Sequence, residues 1–401
     1  MIKQLLKQIW SQRSKNGWIY LELFIVFILL WYILDYGFMM AHNRLMPRGF
    51  DIENTYRVFY KDIKTEEDRA KFEQFVQKVK QFPGVESVFI TDLYSGVTPF
   101  SLSYSGSTLK ADTAENAVTL HAQRKNITSD NYFEVFKIKS AIHPDQAPRL
   151  DFSNSSSIVI SEDYAQAFFG DEDPIGKSLY FSGNNKELIV SDVVKNQKKD
   201  DYQTYSPFIL LPASENKVSS PEIAMRVNQQ FSEEDFRDQV ASNMISYKSA
   251  KWNLESMEGT RMNIQLRLLV MLFFALSTAV GVLGTFWFRN QARRGEIGLR
   301  MSMGSSRREI LKHFVSEALL LLTLAAIPAM IIVAIILKLD IIEVVGLNNK
   351  QGLYLTENIW LRGAITVAIT YLFMAFVVAL SAWIPAYRAS TVNPVEALRD
   401  E

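Results

Sequence analysis

Residues Arg289–Lys312, RNQARRGEIGLRMSMGSSRREILK, decide the architecture, because this basic stretch separates two apolar runs of membrane length. Before it, Leu268–Phe288 is 21 residues without a formal charge; after it, Ala318–Leu337 adds 20 more. At about 1.5 Å of rise per residue, either run crosses a hydrocarbon core of roughly 30 Å. Seven Arg and Lys (Arg289, Arg293, Arg294, Arg300, Arg307, Arg308, Lys312) stand against Glu296 and Glu309. A short loop with this excess of cations stays in the cytoplasm.

Topology follows by counting. Trp18–Ala41 is apolar and is preceded by Lys3, Lys7, Arg13 and Lys15, which places the N-terminus inside. It is longer than a signal-peptide core, and Met39-Met40-Ala41 lacks a small-x-small cleavage site, so it reads as a retained helix. Gly363–Tyr387, 25 residues without a charge, is followed by Arg388 and Arg399. The expected order is a cytoplasmic N-terminus (1–17), a first span (18–41), an extracytoplasmic domain (42–262) and a second span (263–288). A cytoplasmic segment (289–313), a third span (314–337), an outer loop (338–362), a fourth span (363–387) and a cytoplasmic C-terminus (388–401) complete it. The fold class is therefore an α-helical membrane domain with a large mixed α+β domain inserted between its first two helices.

Bulk composition hides this division. Lys+Arg 43 balance Asp+Glu 43, because apolar helices are averaged with a long polar domain able to bury a core of its own. The absence of cysteine excludes a disulfide framework and Cys-ligated zinc, and His42, His121, His143 and His313 lack ligand spacing. No nucleophile elbow or metal loop marks 42–262 as an enzyme.

Within that domain, Thr55–Tyr60 has the content of a strand, Thr65-x-x-Asp68 the form of a helix start, and Phe72, Phe75, Val76 and Val79 one apolar helix face. Pro83-Gly84 stops the helix and Val85–Leu93 returns as a strand. A second such unit follows late in the domain: strand Ile223–Asn228, helix start Ser232-x-x-Asp235, helix to about Asn243. The two units flank an inserted middle, roughly 94–212, with strands at Ile158–Ile160, Leu188–Val194 and Phe208–Leu211 and a short helix capped by Ser161 and ended by Gly170. Gly170–Ser178 imitates a phosphate-binding loop, but five residues separate Gly170 from Gly176. Asp171, Glu172 and Asp173 would also repel a triphosphate.

Four stretches resemble the MacB/FtsX-like permeases, the membrane subunits of mechanotransmitting ABC transporters. Gly295–Ile310 (GEIGLRMSMGSSRREI) is similar to the family signature EIGLRMAMGASRREI. Pro385–Ser390 with Asn393–Arg399 is similar to its C-terminal signature. Asn131–Phe136 and Phe168–Ser178 resemble segments of the MacB-type periplasmic domain, which makes the imitation loop a structural turn. The likeness spans almost the whole chain. It implies a porter-like body (near 50–93 and 213–258), a Sabre-like insertion (94–212) and a permease domain (263–401). MacB itself carries an ATPase domain that this sequence lacks, so ATP is expected on a separate ABC ATPase subunit, with no cofactor held here. A homodimer or a heterodimer with a second permease is implied, in the inner membrane among its lipids. A periplasmic adaptor or outer-membrane channel is a further expected partner for export; nucleic acid is not one. Transmembrane signalling to a cell-wall hydrolase is the other family use, and a membrane-anchored receptor a different class.

The candidate site is the coupling segment. Glu296 and Arg300 are the expected polar contacts to the ATPase, Met301 and Met303 the apolar ones, and Gly304 a tight turn before a helix capped by Ser306. Intramembrane carboxylates form a second group. Glu22 and Asp35 lie within a turn or two of the ends of the first span, within reach of the interface, and Glu317 is expected at a helix N-terminus, where the macrodipole favours it.

Overall fold

The computed structural model describes residues 13–103, 105–114, 116–213, 218–339 and 358–391. The chain divides into two compact units, a membrane unit and an inserted unit, His42–Arg261.

Four long helices make the membrane unit: α1 (Arg13–Leu45), α7 (Thr260–Ala292), α9 (Arg307–Lys338) and α10 (Ile359–Ser390). All four are long and apolar enough to cross a bilayer. Each outlasts its uncharged run by several residues, because polar residues at the ends continue the helix outside the hydrocarbon. A core of Leu321, Leu322, Ala325 and Ala329 on α9 meets Met374, Val378, Ala382 and Ala386 on α10 and Leu23, Phe27 and Leu30 on α1. Alanines at this seam let backbones approach closely, the usual basis of packing where no hydrophobic drive exists between helices. The outer loop lies largely outside the described residues, as does Asn393–Arg399 of the C-terminal signature.

The inserted unit contains two sheets. One has the order β10–β1–β9–β2, with every pair antiparallel: β1 is Thr55–Phe59, β2 Val85–Asp92, β9 Pro221–Val227 and β10 Ile245–Ser246. Strand β9 thus lies between the two strands of the first unit, and the two strand–helix units interlock. Helices α2 (Glu66–Lys80) and α5 (Glu233–Gln239) cover the sheet, where Phe72, Val76, Val79 and Phe236 meet Val58, Val88, Ile223 and Met225. Thr65 and Ser232 both accept from the third residue of their helices, at 3.1 and 3.3 Å. Gly84 has φ +84°, and a Cβ there would stand 2.4 Å from the Phe231 nitrogen, so only glycine fits.

The inserted middle is a closed six-stranded barrel, β3–β4–β8–β5–β7–β6, all of it between Gly106 and Pro212. Its strands are β3 (Gly106–Lys110), β4 (Thr119–Ile127), β5 (Ser157–Ser161), β6 (Ser178–Phe181), β7 (Glu187–Val194) and β8 (Phe208–Pro212). Leu109, Ile158, Ile160, Leu179, Leu188, Val190 and Ile209 fill it. Helix α3 is Asn131–Val135 and α4 is Glu162–Phe169. Ser161 stands at the start of α4 but does not cap it: its hydroxyl donates to Asp163 Oδ1 (2.5 Å) and accepts from the Phe208 amide (3.1 Å), tying the helix to the barrel. The imitation phosphate loop is the turn from α4 to β6. Lys177 pairs with Glu172 there, and the Gly176 amide donates to the Val190 carbonyl (2.8 Å).

Candidate functional site

Between α7 and α9 the coupling segment forms helix α8 (Arg294–Ser302) and a turn. Its amphipathic spacing orients it. Ile297 is buried in the membrane core with Ile310 and Phe314, while Leu299 and Met303 face outward. Gly304 carries φ +100° in the short turn, 303–306, that leads from α8 to α9. Ser306 then closes a reciprocal box: Glu309 N–H donates to its hydroxyl (3.3 Å), and its own N–H donates to Glu309 Oε2 (2.9 Å).

The named candidates separate in this geometry. Glu296 and Arg300 pair with one another at 2.6 Å on the open side of α8. Met303 and Gly304 are exposed, whereas Met301 is partly buried against the core. Leu299, 51% exposed, is the apolar side chain that sequence reasoning passed over, although a step of four from Met303 puts both on one face. A cleft of about 380 Å3 opens beside these residues, lined by Arg293, Glu296, Arg300, Lys312 and His313.

Glu317 does not sit at a helix N-terminus. α9 begins ten residues earlier, so its dipole has faded there, and the carboxylate is instead buried between two guanidiniums. Arg289 donates to Oε1 and Arg293 Nη1 approaches Oε2 at 3.5 Å. These arginines end α7 and immediately precede α8, so one carboxylate on α9 holds the junction where the coupling helix begins. Their spacing of four was the sequence signal, obscured by the positive charge they contribute to topology. Asp35 also departs from expectation. It is 2% exposed and faces Arg362 Nε of α10 at 3.3 Å rather than reaching an interface, beside a Trp31 indole that donates to Thr366 (3.0 Å). Glu22 is half-buried against Gly281, where a Cβ would stand 2.6 Å from Oε2.

A second charged junction, unanticipated from sequence, lies in the inserted unit. Asp201 receives Arg48 through two bonds (2.6 and 2.9 Å) and Lys251 through a third (2.9 Å). Arg48 follows α1, and Lys251 lies on α6 (Tyr247–Met257), which precedes α7. The same loop gives Lys198 Nζ to the Asn43 carbonyl (2.5 Å) and Lys199 to Glu258 (2.8 Å), and it accepts from Asn43 Nδ2 at Tyr202 O (2.8 Å). Burial works to raise the Asp201 carboxyl, but Arg48 and Lys251 outweigh it and hold it at about 2. Its neighbour Asp200 is pushed up to about 6, chiefly by burial and further by Glu258, against the Tyr202 and Gln203 amides.

Comparison with known proteins agrees with this architecture. The FtsX-like permease C-terminal model matches residues 268–394 and the MacB-like periplasmic core domain model residues 37–243. An uncharacterized ABC transporter permease of Methanocaldococcus jannaschii is 32% identical over 31% of this chain and 29% of its own length. The macrolide export ATP-binding/permease protein MacB of Neisseria meningitidis is 22% identical over 75% of this chain and 46% of its own. The chain thus spans less than half the length of these relatives. The periplasmic region of MacB from Actinobacillus actinomycetemcomitans aligns with 53% of this chain and 87% of its own at TM-score 0.30 and 20% identity. With both models matching in order, and the periplasmic one covering more than half its residues, this chain belongs to the MacB/FtsX-like family of ABC transporter permeases, multi-pass inner-membrane proteins with a large periplasmic domain.

Proposed function

We propose that this chain is the membrane subunit through which a separate ATPase subunit moves a periplasmic domain. The movement exports or extrudes a substrate such as a peptide, an antibiotic or a lipid-linked molecule. The observation that supports this reading best is the buried Glu317–Arg289–Arg293 cluster. A helix that presents Leu299, Met303 and the Glu296–Arg300 pair outward can pass a push onward only if its root is tied to the bundle, and this cluster ties it. The permease works as a pair, as a homodimer or with a second permease, and ATP is bound by the partner subunit.

The test is copurification of the full-length protein with its ATPase, followed by ATP hydrolysis in Glu296→Lys and Gly304→Trp. Both variants are expected to lose stimulated hydrolysis while remaining in the membrane. Wild-type rates in both would remove the coupling role from this segment. Recovery of an adaptor or outer-membrane channel with the complex is the outcome expected for export; recovery of a peptidoglycan hydrolase would replace export by signalling.

A further inference from the structure

Lys125, on β4, is 8% exposed, and its Nζ donates to Gln197 Oε1 at 2.8 Å while lying 4.7 Å above the Phe208 ring. Among the described residues no carboxylate pairs with it, and burial alone pushes its ammonium down to about 7. A buried cation whose partners are one neutral amide oxygen and an aromatic face is costly, and two of its three donors remain to be used. The Gln197 amide is 4% exposed, and its Nε2 has no hydrogen-bond partner. The nearby Tyr132 hydroxyl donates to the Val97 carbonyl at 3.4 Å and lies within reach of one hydrogen of that amide, which leaves the other hydrogen for a ligand. The contact with Lys125 fixes the orientation of that amide, because the reversed one would set two donors against each other.

Both side chains line a small cavity where the barrel meets the loop after β2. Thr98, Ser101, Gln123, Lys198 and Ser206 form part of its remaining polar wall, and among the described residues none that lines it is acidic. Lys198 is committed elsewhere, to the Asn43 and Asp201 carbonyls. The cavity measures about 30 Å3. One water needs roughly 10–15 Å3 by the same measure, so the space admits a small polar head group and not a bulky one. An ammonium and an amide N–H, with hydroxyls beside them, supply separate donors for two oxygens.

We propose that this cavity is a receptor for a carboxylate group, carried by a small organic acid or by a peptide C-terminus. A carboxylate completes the Lys125 ion pair and satisfies the Gln197 amide together. The loop 197–201 also holds Arg48 and Lys251 through Asp201, so the ligand would stiffen that charged junction of the inserted unit. None of this depends on the coupling role of residues 289–313.

Saturation-transfer NMR on the full-length protein in detergent, with acetate as the probe, tests it. Acetate should give a saturable signal that equal concentrations of chloride do not remove and that falls about tenfold in Lys125→Met and in Gln197→Leu. Lys125→Met removes a buried charge and keeps the length of the side chain, so it is expected to fold. Competition on the wild-type protein separates the sources. Displacement by Ala-Ala but not by its C-terminal amide assigns peptide ends; acetate binding that Ala-Ala leaves intact assigns free small acids. Absence of a saturable acetate signal in wild type, removal of it by chloride, or a full signal in both variants would overturn the proposal.

Discussion

Two carboxylates in this molecule each hold two cations, and the difference between them is solvent. Glu317 in the membrane unit is fully buried, and its arginines are mostly so. Asp201 in the inserted unit is nearly as buried, but Arg48 keeps about a third of its side chain in water (32% exposed). Removing one partner of a buried pair strands the other charge, and the cost grows with the distance of that charge from water. The membrane cluster is therefore the stiffer joint, and the outer one the more adjustable.

Among substitutions at the two ion-pair clusters the largest expected effect is that of Glu317→Gln, which strands two arginines and should cost about 3 kcal/mol in unfolding of the detergent-solubilised protein followed by circular dichroism. Stimulated ATP hydrolysis should fall with it, and should return in part in Glu317→Asp, which restores the charge. Equal stability of Glu317→Gln and wild type would abolish the distinction between the two joints. Asp201→Asn should cost about half as much, because Arg48 can turn to water.

Titration sharpens the same contrast. The Asp201 carboxyl, at about 2, lies below its ordinary 3.8. Its contribution is therefore complete above about pH 4 and is lost as pH falls toward 2. Asp201→Asn should flatten acid unfolding in that window. Lys125 runs the other way: at about 7, against 10.5 in the open chain, the unfolded state binds more protons. Stability should climb from pH 7 toward 10.5 with a slope of at most about 1.4 kcal/mol per pH unit, and Lys125→Met should lack that rise. The smallest effect belongs to Glu296→Gln. An exposed pair on one helix face should change stability by less than about 0.5 kcal/mol, so lost coupling there would report docking and not folding.

Membrane helices were the most legible part of the chain, because twenty uncharged residues admit few alternatives and the cations at 289–312 set their direction. The sheet units were readable from Thr65, Ser232 and the apolar face of α2, but their interleaving was not, since strand order is a matter of pairing and not of propensity. In the barrel, Ile158–Ile160 and Leu188–Val194 showed themselves as apolar runs. Strands β3, β4 and β6 did not, because GSTLK and SLYF are short and the polar content of TLHAQRKNI (Thr119–Ile127) masks its inward residues. At the candidate site, Gly304 and Ser306 were visible as turn and cap chemistry. The partners of Glu317, Asp35 and Asp201 were not, because each lies on an element separated from it by many residues, and ion pairing of that kind leaves no local pattern.

The placement of β9 sets an order of events during synthesis. Every barrel strand lies between Gly106 and Pro212, so the barrel has all its strands while β1 and β2 still await Pro221–Val227. Until β9 is made, β1 and β2 lack the strand that pairs with both, and open strand edges of this kind are the ones that invite mispairing.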